Sequence, residues 1–281
     1  MSIKDRAIEQ KYFHCYATAN DRSLYLRDIQ NLIRIKNCYS GFSKVVLFIA
    51  ISEVKKISLF DRFFVRMIKK MFHKHPSIVV MEVYFKSNIG RDFSSFQSLF
   101  LKVKQIAGVN DFILFQNRSG YGPFQKNWYS QFVKQFEKFD SIALCGSTIN
   151  FMDHDKRSLS DNLPHVQTYS FLTKVFYLNM LKDSFPGSNE TEQIDIVCKG
   201  EIALSQFFLE KKYKITCIEW PNEEISNQSA AIVSSDIKGN VTARHYFYHR
   251  TYFKKNLAIK INQIKNDLFT WFIFLYHVYK K

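Results

Sequence analysis

"KVVLFIAIS", residues 44–52, is apolar at every position between its lysine and its serine. A run this short, and rich in Val and Ile, reads as a strand buried on both faces, the kind found in a parallel sheet. Upstream, "SLYLRDIQNLIRIKN" (23–37) places Leu24, Leu26, Ile29, Leu32 and Ile33 close to helical spacing. Downstream, residues 54–75 set Phe and Met at helical spacing before a second buried run, "SIVVMEVYF" (77–85). The alternation continues through a helix over "DFSSFQSLFLKVKQIAG" (92–108), a strand "DFILFQN" (111–117), a helix "NWYSQFVKQFEKF" (127–139), and strands "SIALCGSTIN" (141–150) and "YKITCIE" (213–219). "KYFHCYA" (11–17) adds a further strand. Strand alternating with helix predicts an α/β architecture on one mostly parallel sheet. No internal repeat and no low-complexity linker interrupts it, so the expectation is one domain over residues 1–253 with a C-terminal appendage, 254–281.

Composition narrows the classes of function. The 281 residues carry a formal charge of +15, 28 phenylalanines and 15 tyrosines. That charge favours an anionic partner: nucleic acid, a phosphate-bearing substrate or an acidic membrane surface. The N-terminus lacks the apolar segment of a secretory signal. The five cysteines are scattered without a CxxC pair, which points to reduced thiols in the cytoplasm. No run reaches the ~18 apolar residues of a spanning helix.

In open α/β sheets ligands sit beyond the carboxyl ends of the strands, and the unusual polar residues fall there. After the strand ending near Phe85 comes "KSNIGRDFSSF" (86–96), where Asn88 and Gly90 suit a tight turn and Asp92 or Ser94 suits the cap of the next helix. Backbone N–H groups at such a helix start attract phosphate, and Arg91 offers a charged hydrogen bond. After Phe115 comes "QNRSGYGPF" (116–124), whose two glycines and proline bring the backbone close to a neighbour or simply turn it. Asp153-His154-Asp155 has the D-x-D spacing with which carboxylates hold a divalent cation against a diphosphate. His165 and Gln167, beside a proline, are candidates to line an acceptor pocket. Finally "GEIALSQFFLEKKYKI" (200–215) places Glu201 in the first turn of a helix over Ile202–Lys211. There the helix dipole favours an ionised carboxylate able to take a proton from a sugar hydroxyl; an ordinary first-turn Glu is the plain alternative, and Asp195 a second candidate.

The order of "NIGRDFSSF", "FILFQNRSGYGPF", "ALCGSTIN", "PHVQTYSF" and "GEIALSQFFLEKKYKI" resembles that in bacterial polysaccharide-synthesis glycosyltransferases related to the rhamnan- and capsule-synthesis proteins, over roughly residues 77–220. The resemblance implies a GT-A-like domain that moves a sugar from a nucleotide-sugar donor to a hydroxyl of a surface glycan (capsule, O-antigen or lipopolysaccharide) or its lipid-linked precursor. It implies that Asn88, Gly90, Arg91 and Asp92 hold the nucleotide part of the donor, that Asn117, Arg118 and Ser119 lie near the diphosphate, and that Glu201 is the base of an inverting transfer. Mn or Mg is the cofactor such enzymes use, with Asp153 and Asp155 as ligands if it is needed. The chain departs from the family pattern at Arg118, where Asp or Ser is usual, so the arginine itself is a candidate to neutralise the diphosphate.

Two basic segments remain. Residues 54–75 carry seven Lys and Arg against one Asp, and residues 254–281 carry six lysines and one aspartate, with Trp271 in a heptad-like apolar stripe. Basic amphipathic helices of this kind suit an anionic membrane surface, here the inner face of the cytoplasmic membrane; core packing or a homodimer seam is the alternative. The rival functions are a glycosyltransferase-like subunit without activity and a basic nucleic-acid-binding protein. Against the latter, the chain has no RNP, zinc-finger or helix-turn-helix pattern.

Overall fold

A computed structural model describes residues 10–21, 25–153, 162–182, 184–232, 237–254 and positions 269, 272 and 276. The buried run 45–52 forms strand β2 (Val45–Glu53), flanked in register by β1 (Tyr12–Ala19) on one side and β3 (Ile78–Ser87) on the other, all parallel. On the far side of β1 lies β4 (Phe112–Asn117), also parallel to it. The later strands are β5 (Gly120–Tyr121), β6 (Ile142–Gly146), β7 (Ile149–Met152), β8 (Asn162–Val166), β9 (Ser170–Lys174), β10 (Lys214–Cys217), β11 (Glu224–Ile225) and β12 (Tyr248–His249). Eight of these make one sheet in the order β11-β10-β6-β9-β4-β1-β2-β3; β9 runs antiparallel to both β4 and β6, and β11 antiparallel to β10. The expected α/β class with a mostly parallel sheet is what the chain adopts. The run 141–150 is not one strand, however. It breaks at Ser147–Thr148 into β6 and β7, and β7 leaves the sheet to pair with β8.

Helices α1 (Leu26–Asn37), α2 (Leu59–Met71), α3 (Arg91–Lys104) and α4 (Trp128–Phe136) follow β1, β2, β3 and β5. In α3 the apolar spacing buries what it should, Phe93, Phe96, Leu99, Phe100 and Val103. In α1, by contrast, Ile29 and Leu32 are buried, but Leu26 and Ile33 are half-buried and Asp28, Gln30 and Asn31 are buried with them. Ser58 and Asp61 close a capping box at the start of α2. Much of the phenylalanine goes into aromatic packing across the sheet, with the rings of Phe96, Phe115 and Phe171 5.0–5.6 Å apart.

The chain winds outward from β1 to β3, then crosses to β4 on the other side of β1. That reversal leaves a crevice at the carboxyl ends of β1 and β4, the position at which doubly wound sheets bind ligands. The strand expected over 11–17 is therefore an interior one, between β4 and β2. Past Lys254 the tail lies outside the described residues except at Phe269, Phe272 and Tyr276, which are helical and exposed.

Candidate active site

A cleft of about 540 Å³ opens at this crevice, within the size range of small-molecule sites. Asn88, Arg91, Asp92, Asn117, Arg118, Ser119 and Glu201 all line it, so three separate sequence stretches converge on one cavity. Five basic side chains (Arg27, Arg91, Arg118, Lys238 and Arg250) stand on its walls against three carboxylates, Asp21, Asp92 and Glu201.

At the β3 end, Gly90 has φ +69° and starts α3. A Cβ there would sit 1.7 Å from the Ser188 carbonyl oxygen, so the residue serves close packing of the 187–190 turn and does not itself reach the cleft. Neither Asp92 nor Ser94 caps the helix as expected, because the cap position is Gly90 with no side-chain bond. Arg91 is also left-handed, φ +44°, a strained conformation for a side-chain-bearing residue and one that clusters at functional sites. Asp92 is instead turned toward β4. Burial raises its pKa, against the pull of Arg118, Asn117, Arg91 and Lys86, and Asn117 Nδ2 donates to its Oδ2 at 2.8 Å. Burial also brings the Lys86 ammonium down to about 8, with Asp92 opposing.

At the β4 end, Asn117 Oδ1 accepts the Ser119 N–H at 2.8 Å. Gly120 lets the backbone pass where a Cβ would lie 2.4 Å from the Tyr169 carbonyl oxygen. Arg118 is heavily committed. Its Nε donates to Asp28 Oδ2 at 3.0 Å, Nη1 pairs with Asp21, and Nη2 donates to Thr18 Oγ1 at 2.8 Å and to the Ala19 carbonyl. Burial opposes its charge, but Asp28 and Asp21 outweigh this and hold the guanidinium above its ordinary pKa. Four of its five N–H groups are thus spoken for, so its main work is to lock β1, α1 and β4 together at the crevice.

Glu201 does not open a helix. Helix α5 (Val175–Asn179) follows β9, and further on α6 (Gln193–Ile196), a π-helical turn Val197–Ile202 and α7 (Ala203–Glu210) run on continuously, with Glu201 inside the π turn. Its own helical segment begins eight residues earlier, at Gln193, so Glu201 is not at the N-terminus of that segment. What holds it ionised is local. Burial disfavours the charge, but Lys238, His165, the Thr168 N–H and His249 together bring the pKa below its usual 4.5. Thr168 N donates to Oε1 at 3.0 Å and Lys238 Nζ stands 3.7 Å from the same oxygen. Asp195 pairs with Lys199 at 3.6 Å and is not on the cleft lining.

His165 and Gln167 do not line the cleft either; they are 2% and 0% exposed. His165 Nδ1 lies 2.7 Å from the Leu163 carbonyl, which can only accept, so that nitrogen carries a proton, while Gln167 Nε2 lies 3.3 Å from its Nε2. Both stand beside Thr168, whose N–H holds Glu201. Asp153 is 4% exposed and off the cleft lining, and Asp155 lies outside the described residues. Among the described residues no three His, Cys, Asp or Glu side chains converge as metal ligands. Asp21 and Asp28 are turned onto Arg118, so the described residues do not by themselves form a divalent-cation site.

The C-terminal stretch completes the cleft, and no sequence motif announced it. Strand β12 pairs with β5, and Arg250 N donates to the Ser119 carbonyl at 2.9 Å. Glu219, just past β10, accepts Thr242 N at 2.7 Å, Thr242 Oγ1 at 2.5 Å and Ala243 N at 3.0 Å, with His245 Nε2 at 2.5 Å. These bonds strap residues 238–250 across the sheet and place Lys238, His249 and Arg250 on the cleft wall. Thr18, Asp21, Arg27 and Asp28 were likewise missed; the signal for them was the polar stretch at and after the end of β1.

No family model matches the chain, and no curated protein does. Solved structures similar to it include the mannosyltransferase PcManGT from Pyrobaculum calidifontis in complex with GDP-Man and Mn2+ (TM-score 0.49, 9% identity, 75% of this chain and 55% of that one). TarS of S. aureus gives a TM-score of 0.45 at 11% identity over 78% of this chain and 36% of that one. A 4-diphosphocytidyl-2C-methyl-D-erythritol synthase gives 0.42 at 11% identity over 79% and 95%. The chain thus spans about half the length of the first and about a third of the second. The cleft itself, rather than these likenesses, carries the chemistry.

Proposed function

We propose that the chain is a glycosyltransferase, moving a sugar from a nucleotide-sugar donor onto a hydroxyl of a bacterial surface glycan or its lipid-linked precursor. The observation that supports it best is the pairing, in one cleft at the β1/β4 crevice, of a predominantly basic wall with a buried, ionised carboxylate. The diphosphate of the donor lies against Arg91, Lys238 and Arg250, whose charges meet the negative charge that grows on the leaving group. Asn88, Asp92, Asn117 and Ser119 hold the donor beside them. Glu201 takes the proton of the acceptor hydroxyl on Oε2, while Thr168 and Lys238 engage Oε1. The acceptor oxygen bonds to the anomeric carbon as the carbon–oxygen bond to the diphosphate breaks, with inversion when the two lie on opposite faces. Residues 1–253 make up the transfer domain, and the basic, aromatic stretch 254–281 serves membrane or partner contact. A Mn or Mg ion, where one is used, needs ligands beyond those the described residues bring together.

The test has two arms. Thermal shift against UDP-, GDP-, CMP- and dTDP-sugars, with and without manganese, should reveal stabilisation by one nucleotide class. Glu201→Gln should then bind that donor nearly as the parent does while turnover falls by about 10²–10⁴-fold, the contribution of a positioned general base. Turnover within about tenfold of the parent would remove Glu201 from the mechanism.

A further inference from the structure

The exposed face of α2 carries Leu59, Arg62, Arg66, Lys69 and Lys70, spaced i, i+3, i+7, i+10 and i+11, which is a single stripe of the helix. The one acid of the helix, Asp61, is buried on another face by its bonds to Ser58 and Tyr25. Leu59 is 84% exposed at the start of this stripe. It does not stand alone. The β2/β3 register ends with Glu53 opposite Ser87, so the residues that follow each strand leave the sheet side by side. Val54 and Ile89 are there, 48% and 55% exposed, with Lys55 and Lys56 exposed between Val54 and α2. Val54 and Asn88 are also on the lining of the cleft. Bare apolar side chains at the cavity rim are therefore followed in the chain by a one-sided basic stripe that runs along α2.

We propose that this rim and the outer stripe of α2 form a docking surface for an anionic lipid membrane, with Leu59 and Ile89 entering the interface and the basic stripe lying on the headgroups. Charge complementarity selects the occupant: a protein or RNA groove would not require an exposed leucine at the tip of a cationic helix, whereas an interfacial helix requires both. Docked this way, the cleft opens beside the bilayer surface, where the hydroxyl of a lipid-linked acceptor resides. That last consequence rests on the sugar-transfer reading; the docking does not.

The experiment is flotation of the full chain with phosphatidylcholine vesicles with and without phosphatidylglycerol. The chain should float only with the anionic vesicles, and less so as salt rises. Each basic side chain near such a surface is worth roughly fivefold in partitioning, so Arg62→Ala/Arg66→Ala should weaken binding by about thirtyfold. Leu59→Asp should abolish flotation even at low salt. Nucleoside-diphosphate binding in solution should be the same in all three proteins, since none of these residues lines the cleft. Equal flotation of parent and variants, equal binding to neutral vesicles, or no binding to either would overturn the docking surface. So would RNA binding that is lost in the same variants while vesicles are ignored. A parent chain that floats but binds no nucleotide would sink sugar transfer and leave the docking standing.

Discussion

Replacing Glu219 by glutamine removes one negative charge from a site that the fold has built around it. The carboxylate receives two backbone N–H groups, the Thr242 hydroxyl and the His245 ring, and its side chain is fully enclosed. Burial opposes its ionisation, but the bonds from His245, Thr242 and Ala243 outweigh this and bring its pKa from 4.5 down to about 2. A depressed carboxylate stabilises the fold above its unfolded pKa and loses that contribution as pH falls through the folded one. The drop corresponds to about 3 kcal/mol at neutral pH, decaying between about pH 5 and pH 2. In the Glu219→Gln variant the new amide NH2 also faces donors where an acceptor stood. Urea denaturation of parent and variant should therefore differ by about 3 kcal/mol at pH 7 and by less than half of that at about pH 3. For a domain of this size the thermal midpoint should fall by roughly 6–12 °C. A gap below about 1 kcal/mol at pH 7, or one that does not narrow between pH 5 and pH 3, would refute the reasoning. Because the same bonds strap Lys238, His249 and Arg250 to the cleft, the variant should also bind donor more weakly.

Two further outcomes follow from the cleft walls. Gly90→Ala forces a Cβ into the Ser188 carbonyl at a left-handed backbone position and should cost more than about 2 kcal/mol by urea denaturation; a neutral result would mean that the 187–190 turn moves freely. Arg118→Met leaves the buried Asp28 carboxylate without its cation and should cost about 3–5 kcal/mol, most of it recovered when Asp28→Asn is added. If the double variant is no more stable than the single one, the two residues are not acting as a pair.

Most of the sheet was legible because burial on both faces leaves nearly unbroken apolar runs, as at β2, β4 and β10. Strand β3 also falls on an apolar run, but as the edge strand it leaves Val79 and Met81 40% and 52% exposed instead of being buried as expected. The register of α3 was legible from the spacing of its phenylalanines. The break between β6 and β7 was not, since Ile149 and Phe151 remain buried after the chain leaves the sheet and keep the apolar signal running. Asn88, Asp92, Asn117 and Glu201 were read as candidates because they follow strands or open recognisable motifs, and the fold brings all four to one cleft. Lys238, His249 and Arg250 escaped because they arrive through tertiary bonds to Glu219 and β5, which no local pattern records. His165 was misjudged for the opposite reason: its place near a strand end resembles a pocket residue, but the Leu163 carbonyl draws its ring inward.

The π turn over Val197–Ile202 bears on how relatives of this chain should be compared. Such a turn arises when a helix accommodates one residue more than its ordinary winding allows. Deleting that residue would let the helix rewind and swing Glu201 by about 100° around the axis, leaving the buried faces before and after it intact. Loss of the carboxylate from the cavity therefore needs no substitution at all, only a shortening by one. On the proposed mechanism, a chain shortened by one residue here would keep the shape and lose the group that takes the proton.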